Sequence, residues 1–179
     1  PQALLSATLA DGRSVTAQLP ISPRNWQIEH INAARRPGGS TEAFMAIRRP
    51  ELERIAAARA VESGATGWRE AFIRPAPGRF SGRFGAQRVY RGEPGAYHSG
   101  LDISGGAGAA VVAPASGVVV LAADAPFTLE GNLLIIDHGQ GLNSAFLHLS
   151  AINVREGERV AQGQLVEERR LSSCIPVAS

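Results

Sequence analysis

NLLIIDHGQGLNSAFLHLS, residues 132–150, is the stretch on which the fold turns. Its first half is an apolar run rich in Leu and Ile, closed by Asp137, and its second half, from Leu142, is a mixed run that ends at Leu149. Between them lies HGQG, whose glycines accept turn conformations that other residues resist. Two short apolar runs joined by a glycine-containing bend predict an antiparallel β-hairpin.

The same grammar continues on both sides. VVAPASGVVVLAA (111–123) and ERVAQGQLV (158–166) are β-branched or apolar runs punctuated by Gly and Pro. No helical pattern of useful length interrupts residues 80–166, so successive strands are expected to pair antiparallel without crossover helices. The predicted class is mostly β, an antiparallel sheet or sandwich core with a small N-terminal α+β accessory region. The boundary between accessory region (1–77) and β core (78–166) is placed after FIRPAPG, with 167–179 as an atypical tail.

Within the accessory region, ALLSATLADGRSVTAQLP (3–20) reads as two strands around an Asp11-Gly12 turn. Residues 21–40 are turn-rich and end in RRPGGS, the signature of a linker or exposed loop. Then TEAFMAIRRPELERIAAARAVESG (41–64) predicts one helix at about 50–63, with Pro50 in its first turn and Gly64 as a left-handed cap. Met45, Leu52, Ile55 and Ala56 form its expected core face.

Composition narrows the function classes. The chain has 179 residues, 44% of them apolar, which suits a globular domain rather than a disordered one. It lacks a run of 18 apolar residues, so no integral membrane segment is expected. It opens on Pro1 without a charged-then-apolar leader, so any signal or anchor is expected to have been removed or to lie outside this chain. All 18 basic residues are Arg, the net charge is only +2, and no basic-aromatic patch points to nucleic acid. Cys174 is the only cysteine, which excludes an internal disulfide and a cysteine metal cage.

The candidate chemistry lies in YHSGLD, residues 97–102. In an extended segment, residues four apart share a side, so His98 and Asp102 are expected to point together across Gly100. Imidazole nitrogen and carboxylate oxygen are ordinary zinc donors, yet catalytic zinc usually takes three protein ligands and a water. Two donors at this spacing are half of such a site. A turn whose His and Asp bond the backbone is the structural alternative. His138, in DHGQG, is expected to stabilise the bend or to be exposed, and His30 to be a surface or loop residue.

Ordered blocks supply further information. They are F-G-x-x-R at 84–88, H-x-x-x-D at 98–102, A-P-A-x-G-V-V at 113–119, I-D-H-G at 136–139, L-H-L-S at 147–150, and V-x-x-G-x-x-V-x-x-G-Q at 154–164. In this order they resemble the lysostaphin-like zinc metallopeptidases, which cut peptidoglycan peptides. The resemblance implies a Zn2+ cofactor, His98 and Asp102 as metal ligands, and His148 as a catalytic histidine beside the metal. That histidine would orient or deprotonate the zinc-bound water, or stabilise the oxyanion. It also implies peptidoglycan peptides as partner and a periplasmic or envelope location, and leaves the oligomeric state open.

One block departs from the family. Where a glycine-rich turn and H-x-H are expected, the chain reads VEERRLSSCIPVAS, and no histidine follows His148. The third zinc ligand and the second catalytic histidine are therefore not found, and Cys174 reads as an unpaired thiol. The abrupt change of composition predicts a slipped reading frame near Val166 and an impaired or inactive polypeptide. Two functions stay open: a metalloendopeptidase, and a degenerate envelope-binding or regulatory module of the same fold. A biotinyl- or lipoyl-type carrier, which VREGERVAQGQLV also resembles, fails because the chain has no lysine to carry the cofactor.

Overall fold

The computed structural model describes residues 1–34, 41–105 and 109–167. The linker RRPGGS (35–40) and the tail 168–179, with Cys174, lie outside the described residues. The protein is mostly β, with one α-helix among the described residues. In chain order the elements are β1 (Gln2–Thr8), β2 (Ser14–Pro20), β3 (Ile28–Ile31), α1 (Glu42–Arg59), β4 (Arg79–Gly82), β5 (Gln87–Tyr90), β6 (Glu93–Tyr97) and β7 (Asp102–Ser104). There follow β8 (Val111–Val112), β9 (Gly117–Ala122), β10 (Asn132–Asp137), β11 (Asn143–Leu149), β12 (Arg159–Val160) and β13 (Leu165–Glu167).

The chain forms two compact units. One combines Pro1–Arg35 with Phe84–Gly100; the other combines Arg36–Arg83 with Leu101–Ser179. The first holds the β1–β2 hairpin, turned at Asp11-Gly12 with Gly12 at φ +83°, and a three-stranded sheet ordered β3-β5-β6. Pairing of β3 with β5 is parallel, and IEHI (28–31) is a strand where turns were predicted. The long excursion between residues 31 and 87 brings the chain back in the same direction, as parallel neighbours require.

The second unit is built on a sheet ordered β11-β10-β9-β12, all antiparallel, with β10–β11 as the hairpin of residues 132–149. Strand β10 is buried on both faces, which is why its sequence is a continuous apolar run rather than an alternation. Leu134 and Ile136 pack with Val111, Ala113, Val119, Leu149, Val154, Val160 and Val166. Leu133 and Ile135 pack on the other side with Leu121, Phe127 and the helix residues Ile55 and Ala58. A register shift between Ile135 and Ile136 sets Ile135 opposite Leu121 but Ile136 opposite Val119. Val120 is thus a bulge residue, and it lets β9 serve both clusters.

Helix α1 starts eight residues before the predicted position. The Thr41 side chain caps it by accepting the Phe44 amide at 3.2 Å, and Pro50 lies inside the helix rather than at its first turn. Its buried residues are Arg48, Ile55 and Ala58, whereas Leu52 and Ala56, expected in the core, are exposed. Gly64 is left-handed at φ +69°, but it stands beyond the helix end at Ala60 and is not its cap. No helix among the described residues is long and apolar enough to cross a membrane.

Candidate functional site

The YHSGLD segment is not one continuous strand. Strand β6 ends at Tyr97, Gly100 forms a bend, and β7 begins at Asp102. His98 closes the first compact unit, where it is half-buried; its amide donates to the Ala86 carbonyl and its carbonyl accepts from the Gly85 amide, both at 2.8 Å. Asp102 belongs to the second unit, exposed on β7 opposite Gly82 of β4. A Cβ on Gly82 would sit 2.3 Å from the Asp102 carboxylate, so that carboxylate lies directly over a glycine backbone. Gly82 is a site neighbour that no motif spacing marked.

His148 is held by a different device. Strand β11 pairs with β10 through Asn132–Leu149 and then Leu134–Phe146, so Leu147 and His148 together oppose Leu133. This is a β-bulge, and His148 takes a left-handed φ of +59° within it. For a side-chain-bearing residue such a conformation costs about 1–3 kcal/mol and persists only when its surroundings enforce it. They do so here: the His148 amide donates to the Glu130 carbonyl at 2.8 Å, and Asn132 Nδ2 donates to the Leu149 carbonyl at 2.8 Å. Gly131 is itself at φ +62°, a conformation that disfavours any side chain, and a Cβ there would lie 3.3 Å from His148 Nδ1. The result is an exposed imidazole on the edge strand β11.

His138 stabilises its bend, bonding Leu142 and Ser144 on the returning chain, but from a buried position rather than an exposed one. It is fully buried, with Nδ1 2.9 Å from the Ser116 carbonyl and Nε2 2.8 Å from Ser144 Oγ, and Phe72 meets its ring edge-on. Its own carbonyl accepts the Trp68 amide at 3.0 Å. Asp137 beside it is equally buried and accepts from Ser63 N and Oγ and from the Gly139 amide. Burial would raise its pKa, but these hydrogen bonds together outweigh burial and hold the carboxyl below the ordinary carboxylate range. The I-D-H-G block is therefore an anchor for residues 63–68. Gly139 completes it, since a Cβ there would fall 1.9 Å from the Ala65 carbonyl oxygen.

The small residues of A-P-A-x-G-V-V have the same logic. Ala113 and Ala115 are fully buried, and a Cβ on Gly117 would strike the Asp137 carbonyl oxygen at 2.5 Å. Phe84 and Gly85 of F-G-x-x-R pack on Trp26, the phenyl edge 5.9 Å from the indole centroid-to-centroid. Most of the block residues thus hold the scaffold together.

The donor set can be tested against zinc. Among the described residues, no group of three or more His, Cys, Asp or Glu side chains is placed to hold a metal ion. A catalytic zinc needs three protein ligands. The described residues therefore do not complete such a site.

Comparison with known proteins gives a consistent picture. Residues 96–168 match Peptidase family M23. The peptidoglycan DD-endopeptidase ShyA of Vibrio cholerae is 36% identical over 69 residues, covering 38% of this chain and 16% of that protein. The murein hydrolase activator NlpD of Escherichia coli is 41% identical over 69 residues, 38% of this chain and 18% of that protein. A lipoprotein NlpD/LppB homolog of Pseudomonas aeruginosa is 36% identical over 94 residues, 52% of this chain and 29% of its own. This chain spans less than a third of the length of these curated relatives. A Pseudomonas aeruginosa crystal structure attributed to peptidase M23 superposes with a TM-score of 0.67 at 25% identity, covering 94% of this chain and 61% of that one.

Proposed function

We propose that this chain, whose residues 96–168 match Peptidase family M23, acts in remodelling the bacterial cell wall, as an endopeptidase of peptidoglycan peptides. The observation that carries the proposal is His148, an exposed imidazole held in a strained bulge at the sheet edge. Of the three non-glycine residues with positive φ among the described residues, Arg91 and Gln140 stand in turns between paired strands, whereas His148 stands within a strand, which supports a side chain held there for a purpose. In this reading His98 and Asp102 are the zinc ligands by motif position, and His148 transfers protons at the scissile bond. The described residues leave the zinc ligation incomplete, so no chemical step is assigned to the metal. Residues 1–77 act as an accessory to the 78–166 region, and the location is the periplasm or envelope.

A second reading has its own support. The lack of a third ligand among the described residues, and relatives named as murein hydrolase activators, favour a regulatory module that binds the wall or a hydrolase without cutting. One experiment separates the two. The purified chain is loaded with zinc, dialysed against a mild chelator, analysed for metal, and incubated with purified peptidoglycan while released peptides are quantified. Stoichiometric zinc and peptide release that His148→Ala abolishes support the endopeptidase. Metal loss, no release, and stimulation of an added murein hydrolase would establish the regulatory module instead.

A further inference from the structure

We propose that Arg48, on helix α1 and outside the matched family region, is a positioning residue that fixes the backbone geometry of His148. The inference rests on the reading of His148 as the functional imidazole, and it deepens that reading by tying the site to the preceding helix.

The connection runs through one turn. Arg48 is buried, and its guanidinium forks onto Glu130, Nη1 and Nη2 each 2.6 Å from a carboxylate oxygen. Paired parallel bonds of this kind fix orientation as well as distance. Nη1 also reaches Glu51 Oε2 at 2.8 Å, and the Glu51 carboxylate accepts from the Thr128 amide and hydroxyl at 2.7 and 2.6 Å. Helix α1 therefore grips the 127–131 turn at two points, Thr128 and Glu130. Reciprocal backbone bonds between Phe127 and Gly131, at 2.9 and 3.0 Å, close that turn.

Glu130 faces two ways. Its side chain is held by Arg48, while its carbonyl accepts the His148 amide. The neighbouring Gly131 supplies the space against which the His148 ring rests. Arg48 sets Glu130, Glu130 sets the amide of the bulge, and the bulge sets the imidazole. A role confined to gluing the helix down would be served equally by Arg54, which bonds Asp124 and Glu156 from the same helix but does not touch this turn.

The test reads the His148 amide directly, by hydrogen exchange and by the ring resonances of the isotope-labelled chain at fixed pH. Arg48→Met should speed exchange of the His148 amide at least tenfold and displace its ring resonances. Exchange at Ile135, in the middle of β10, should stay within twofold. Arg48→Lys should recover part of the protection, and Arg54→Met should leave His148 unchanged. Should Arg48→Met fail to fold, Glu130→Gln keeps the shape of the turn while removing its charge, and should show the same local loss. Unchanged His148 exchange in these variants, or an equal loss in Arg54→Met, overturns the positioning role. If Arg48→Met moves His148 as expected but His148→Ala leaves wall binding and peptide release untouched, Arg48 positions the residue and the functional reading of His148 falls.

Discussion

The β1–β2 hairpin and the β10–β11 hairpin are both antiparallel pairs, yet they carry stability very differently. In the first, the register sets Ala3 opposite Leu19, Leu5 opposite Ala17 and Ala7 opposite Val15, so one face is wholly apolar. The other face carries Gln2, Leu4, Ser6 and Thr8 against Pro20, Gln18, Thr16 and Ser14. Every residue of both strands is nevertheless exposed. In the second, β10 has five consecutive buried residues, Leu133 to Asp137. Amphipathic alternation prepares a strand to be buried; only a packed neighbour buries it. A two-stranded ribbon without one is marginal in water, whereas β10 has neighbours on both faces.

This contrast can be broken at three points, taken from the strongest effect to the weakest. Ile135→Ala removes a fully buried side chain between the sheet and α1, and should destabilise by about 3–5 kcal/mol, measured by urea unfolding. A value below about 1 kcal/mol would mean that β10 is no core strand.

Asp137 offers the electrostatic version. Its pKa is lowered on folding, so the carboxylate contributes stability above its unfolded value of about 3.9, and that contribution is lost as pH falls through the folded value. The advantage of the native chain over Asp137→Asn should be about 1–2 kcal/mol at pH 6 and shrink as pH falls below about 4. Thermal melts of both chains across this range check it. A gap that widens toward acid would reverse the sign and refute the account.

Leu5→Ala, on the exposed hairpin, should change stability by less than about 0.5 kcal/mol in the same unfolding assay. A larger loss would show that the apolar face of β1–β2 is covered in solution.

The sequence made the central hairpin legible because its two runs and its HGQG bend are local signals. Helix α1 was legible in kind but not in extent: Pro50 reads as a starting residue, and only the Thr41 cap and the packing of Ile55 and Ala58 reveal the longer helix. Strand β3 escaped because a four-residue strand with a parallel partner 59 positions away has no local signature. The motif singled out His148, but its bulge could not be read from the sequence. That bulge follows from the register of β10 against β11, and the Arg48–Glu130 pair joins residues 82 apart. For His138, a role at the glycine-rich bend was legible but its burial was not. Ser116 and Ser144, on either side of it in the fold, draw it into the interior.

The extra residue at Val120 has a consequence for how this domain tolerates changes of length. With Val120 in place, Val119 faces the cluster of Leu134 and Ile136, and Leu121 faces helix α1. Deleting Val120 would restore simple alternation and leave Val119 opposite Ile136 and Leu121 opposite Ile135, each side chain still in its own layer. Val120 is thus the place where strand β9 can shorten by one residue without turning either face.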